Sequence, residues 1–296
     1  LLSGVNFGYD LYSHFLLDGS TKKFLTNAPT TQYANLEDYG TVGLLMPYTA
    51  VGIEIIYFDS AGNYLNQEQI NFTAANGGFL YPQANIQASL LYFGLFPANL
   101  QGSSTMFQGY VSAGTIQGGH YNLAVLNDTG QVSSSTYTIN LNCPTLKGYE
   151  PIRLTWLNQW GAWDYYTFNM KSTKTISTKG STYQQLEGSW NESAYRLDSF
   201  KGGKKAFRVN ATEKIKMNTD FVSESESEWF EELINSPEVY ILEGFQTDAS
   251  NSALNKYVTP VRLTTSSYTK KTVANDKLMQ YTFEVEKSKT LRTQSV

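Results

Sequence analysis

From 135 to 141 the chain alternates strictly, with Tyr137, Ile139 and Leu141 on one side of an extended segment and polar residues on the other. A period of two is the mark of a strand with one face buried. The run 51–58, Val-Gly-Ile-Glu-Ile-Ile-Tyr-Phe, predicts a second strand. Turn residues at 59–63 then lead into a hairpin partner at 64–72. A further strand at 119–126 turns at Asn127-Asp128-Thr129-Gly130. The small residues from Gly102 to Gly119 predict a long loop. Later in the chain, strands are expected at 152–158 and 165–170, joined by a turn over 159–164. Others are expected at 205–209, 239–242, 258–264 and 279–286. Residues 264–268 form a polar stretch that leads to Lys270-Lys271, and the basic run 201–205 reads as a charged hairpin turn.

One segment breaks this rhythm. Ser223 followed three residues later by Glu226 has the form of a capping box. Glutamates in the first turn suit the positive end of a helix dipole. Trp229, Phe230 and Leu233 then recur at helical spacing, and Asn235-Ser236-Pro237 stops the pattern. The prediction is one helix over about 224–235, packed across a sheet.

Composition agrees with a β chain. Charged residues are 16% of the 296, while Tyr (21), Phe (16) and Trp (5) are abundant. Aromatic residues suit pleated surfaces and interfaces. Up to Cys143 there are two basic residues against eight acidic; beyond it there are 20 basic and 18 acidic. A first half so poor in Lys and Arg cannot neutralise phosphates, so neither nucleic acid nor a membrane surface is an expected partner. The change of charge style, with Pro144, Gly148 and Pro151 nearby, places a linker at 144–151 between two domains, 1–143 and 152–296. The fold class expected is mainly β, with two β-sandwich-like domains, the second flanked by the helix.

No apolar stretch reaches the length of a membrane span. The opening Leu1-Leu2-Ser3-Gly4 lacks both Met and a signal pattern. It points to a processed or truncated start, or to a sequence beginning inside a longer chain.

Candidate chemistry is sparse. A single cysteine, Cys143, allows no disulfide within the chain and reads as a small buried residue. His14 and His120 stand in different contexts, with no metal-ligand spacing. Neither a nucleophile elbow nor a phosphate loop is present. The glutamates 224, 226, 228, 231 and 232 read as a solvated helix face. Sequons at Asn71, Asn127, Asn191 and Asn210 are what an Asn- and Thr-rich chain yields by chance. No catalytic residue, metal or cofactor is expected. The aromatic run from Trp156 to Tyr166 is read as a hairpin covering a core or an interface, with glycan contact as the lesser reading. The interface candidates are Trp156, Trp160, Trp163, Tyr165, Tyr166, Trp229, Phe230 and Leu233.

The second half resembles virion structural proteins of tailed bacteriophages over about residues 145–296. The resemblance is carried by the segments 151–158 and 161–168, by Asn218-Thr219-Asp220-Phe221 with the acidic Trp229 helix, by 235–240, and by the closing stretches 260–271 and 275–284. It implies a tail or baseplate component, located in the virion, that assembles into rings with copies of itself and with other virion proteins. The first 143 residues would add an immunoglobulin-like or jelly-roll domain, facing another virion protein or a host surface glycan. A host-attachment or carbohydrate-binding module is the alternative, and a capsid or head–neck decoration role is a further one.

Overall fold

The computed structural model describes residues 11–47, 49–71, 88–142, 148–185, 203–243, 258–265, 269 and 279–289. The expectations at Cys143, Asn191, Lys201-Gly202 and Lys270-Lys271, and half of the linker, lie outside them. The protein is mainly β, with 51% strand and 14% helix among the described residues.

In the first half, a short helix α1 (Leu11–Phe15) precedes β1 (Thr31–Ala34), β2 (Thr41–Pro47), β3 (Ala50–Phe58), β4 (Tyr64–Asn71) and β5 (Ala88–Gly94). Helices α2 (Pro97–Ser103) and α3 (Thr105–Ser112) follow, then β6 (His120–Asn127) and β7 (Tyr137–Leu141). A five-stranded sheet runs β1-β7-β6-β3-β4, and β2 pairs with β5 in a separate ribbon. Leu44 and Met46 of β2 with Leu91 and Phe93 of β5 join Ile53, Ile55, Tyr121, Val125 and Ile139 in one core, giving a sandwich-like pair of layers. β7 buries Tyr137, Ile139 and Leu141, as its alternation requires. The long loop expected over 102–119 is instead largely helical. Pro97 suits the first turn of α2, and Ser104 caps α3 by accepting from the Phe107 amide at 2.9 Å. At Gly119 an added Cβ would collide with the Phe58 carbonyl oxygen, so this strand entry admits only glycine.

The second half comprises β8 (Ile152–Leu157), β9 (Trp163–Phe168), β10 (Ser172–Gln185), β11 (Gly203–Asn218), helix α4 (Glu224–Asn235), β12 (Val239–Leu242), β13 (Val258–Leu263) and β14 (Thr282–Lys287). One seven-stranded sheet runs β10-β11-β14-β13-β12-β8-β9. Phe168 of β9 and Phe283 of β14 meet at 5.8 Å although three strands lie between them, so this sheet is strongly coiled. α4 covers its concave face. Trp229, Phe230 and Leu233 are buried, and Phe230 contacts both Tyr166 (4.9 Å) and Phe283 (5.4 Å). The capping box is present: the Ser223 hydroxyl accepts from the Glu226 amide at 3.3 Å, and the Glu226 carboxylate accepts from the Ser223 amide at 2.7 Å. Residues 203–205, expected in a turn, belong to β11.

Between the halves lies a packed, polar junction. Arg153 of β8 pairs with Asp38 at 3.2 Å, each side chain 7% exposed. Thr167 bridges them, accepting from Arg153 Nη1 at 2.7 Å and donating to Asp38 at 2.8 Å. Arg153 Nε donates to the Tyr39 carbonyl at 2.9 Å. The guanidinium also lies over Phe96 (4.7 Å) and Tyr165 (5.1 Å). Phe15, Leu25 and Leu45 form a small shared core with Trp160 and Ala162.

Candidate interaction surface

The β8–β9 turn is organised by one side chain. Asn158 Oδ1 accepts from the amides of Trp160 and Ala162, each at 3.0 Å. Its Nδ2 donates to the Leu25 carbonyl at 2.9 Å and to Asp164 at 3.1 Å. Gly161, at φ +76°, closes the turn. The other Asp164 oxygen accepts from Trp229 Nε1 at 2.7 Å, tying α4 to β9. Burial pushes the Asp164 carboxyl up to about 6, against hydrogen bonds from Trp229, Thr26 and Asn158 that pull it down.

Of the eight side chains expected to face a partner, this arrangement buries five, and Trp163, Tyr165 and Tyr166 stay partly exposed. Trp156 stacks obliquely on Trp229 at 4.9 Å and Trp160 on Phe15 at 4.5 Å. Both of these ring pairs are buried, as are Phe230 and Leu233. Trp163 (against Tyr240), Tyr165 (against Phe96 and Thr41) and Tyr166 are half-buried. A correction applies to the helix glutamates too. Glu232 is only partly exposed: Asn27 donates to it across the junction, and burial, then the neighbouring Asp164, raises its carboxyl to about 7. Asp164 lines a small pocket of about 30 Å³, whereas Glu232 lines a larger cleft of about 600 Å³. The two raised carboxyls therefore face different spaces. His120 stacks on Phe58 at 4.5 Å and His14 stands edge-on to Phe15 at 6.4 Å. Among the described residues no three His, Cys, Asp or Glu side chains cluster as a metal site, and no helix is long and apolar enough to cross a membrane.

The exposed surface that stands out is one that hydrophobic periodicity missed. β10 and β11 pair from Ser172↔Met217 to Gln185↔Gly203, whereas β11 pairs with β14 only over Lys214–Asn218. The outer ten residues of β10 and their partners thus project as a two-stranded arm, roughly 30 Å long at the usual rise per residue. The core face of the sheet, carrying Met217 and Ile215, continues along the arm as Glu213, Ala211 and Val209, with Ile176, Thr178 and Gly180 opposite. Ile176 is 62% exposed and Val209 43%. A bulge at Ser181/Thr182 leaves Phe207 as the extra residue, 76% exposed. The other face carries Lys179, Lys205, Arg208 and Tyr183. Over β10 and β11 there are seven basic residues and one acidic, Glu213, a formal charge of +6.

Compared with known proteins, the chain matches no family model and no curated sequence.

Proposed function

We propose that this chain is a non-enzymatic structural protein that acts by assembling with copies of itself. Within that class, the resemblance over about 145–296 points to a tail or baseplate component of a tailed-phage virion. The observation that carries the reading is the β10–β11 arm. An isolated two-stranded ribbon is marginally stable in water, and this one extends apolar side chains into solvent from a sheet that is otherwise well packed. Such a surface gains stability by being covered. The composition, rich in aromatics and poor in charge, suits a chain that lives in an assembly.

The carbohydrate-binding alternative loses its best aromatic platform, because Trp156 and Trp160 lie in the chain's own core. Light scattering coupled to size exclusion tests the assembly reading. A defined oligomer is expected, and a chain that stays monomeric at every concentration would sink it.

A further inference from the structure

We infer that the β10–β11 arm docks on the acidic outer surface of α4 in a second copy of this chain, giving a head-to-tail contact. This inference rests on the assembly reading and names its interface. Three observations converge on it.

The arm has a chemistry that calls for an acidic, partly apolar partner. Its formal charge is +3, from Lys179, Lys204, Lys205 and Arg208 against Glu213, in a chain whose net charge is −4. It also exposes Phe207, Ile176 and Tyr183. A partner must therefore supply negative charge together with at least some apolar surface.

The same chain carries the complement. α4 holds five glutamates and no basic residue. Glu224 and Glu228 are exposed and one turn apart, and Glu231 continues the stripe one turn further. Phe221, 56% exposed, stands immediately before the helix. Charge and an apolar anchor therefore occur together there, as they do on the arm.

The two surfaces are also placed for contact between copies. The arm leaves the β10 edge of the sheet, whereas α4 lies over the concave face, in contact with β8, β9 and β14. Two different patches meeting in this way make a heterologous contact, which closes into a ring when the rotation between copies permits. The basic face of the arm would lie on the helix, with Tyr183, which shares that face, packing near Phe221, and Lys179, Lys205 and Arg208 facing the glutamates.

Charge exchange tests this. One variant carries Lys179→Glu, Lys205→Glu and Arg208→Glu; the other carries Glu224→Lys and Glu228→Lys. All five positions are exposed, and circular dichroism checks that both variants fold. Each variant alone should lose assembly, with an apparent dissociation constant raised at least about tenfold. An equimolar mixture should regain it, because each reversed arm then meets a reversed helix. The unaltered chain supplies an independent reading: raising salt from about 50 to about 500 mM should weaken assembly by a similar factor. If either variant assembles like the wild-type chain, or salt has no effect, the arm-to-helix contact is overturned while assembly itself stands. A wild-type chain that is monomeric throughout overturns both.

Discussion

Asp164 shows how much one buried side chain can hold together. It joins the β8–β9 turn, through Asn158, to α4, through Trp229. Trp229→Phe keeps the ring packing against Trp156 but removes the donor, so a stability loss of about 1–3 kcal/mol is expected in denaturant titrations. The loss should be greater at high pH, where the carboxyl is charged. The pH dependence has a defined sign. Asp164 (about 6) and Glu232 (about 7) sit above the ordinary carboxyl range, so the folded chain holds protons that the unfolded chain has released. Their stabilising contribution is complete below about pH 4 and is lost as the pH rises through their folded values, by roughly 3 kcal/mol for Asp164. Asp164→Asn should therefore gain on the wild type as pH rises from about 4 to about 7 when melting temperatures are compared. A constant difference would show that Asp164 does not titrate in this window.

Arg153 and Asp38 act as a unit of the same kind. Asp38→Ala leaves the guanidinium buried without its carboxylate, although Thr167 and the Tyr39 carbonyl remain. A cost of about 3–5 kcal/mol is expected from chemical denaturation. Neither member stands out in the sequence, because an Asp in a turn and an Arg in a strand carry no sign of each other at a separation of 115 positions.

The fourth helix and the arm are opposite cases of what a segment reveals about itself. α4 was legible in full: its cap, acidic first turn, apolar stripe and stop all lie within fifteen residues. Ser223→Ala should cost about 1 kcal/mol, read by thermal unfolding, since the first-turn amides lose their acceptor. Of the arm only the strand at 205–209, within β11, was legible; its partner was not. β10 reads Ser-Thr-Lys-Thr-Ile-Ser-Thr-Lys-Gly-Ser-Thr-Tyr-Gln-Gln, exposed over almost its whole length, so no face imposes a period of two. Its threonines were the one available signal. Amide exchange should be fast in the outer arm of the isolated chain and slow in the assembled state. Equal protection in both states would mean that the arm stays uncovered on assembly. α2 and α3 were missed for a different reason: Gly102, Ser103 and Ser104 read as loop residues, although Ser104 is in fact the cap between two helices.

Across the whole molecule, the two halves are bound by more than a linker. The Arg153–Asp38 pair, the Asn158–Leu25 hydrogen bond, and the core of Phe15, Leu25, Leu45, Trp160 and Ala162 all cross between them. Calorimetry should accordingly show one cooperative transition, because separating the halves would leave a buried ion pair and a buried tryptophan without partners. Two well-separated transitions would show that the junction contributes little.

Strands with one buried face, and the capped helix, could be read from the chain because burial imprints a short period on local sequence: two for β7, and 3.6 for α4. The mainly-β class followed from those elements together with the wealth of aromatics. The destination of the aromatics did not follow. A tryptophan at 156 or 229 is equally suited to a core and to an interface, and only the coiling of the sheet around α4 enclosed it. Pairing of Asp38 with Arg153, the raised protonation of Glu232 and the projection of the arm depend on which distant residues arrive alongside. Desolvation and charge pairing are set by neighbours in space, and the local pattern holds no record of them.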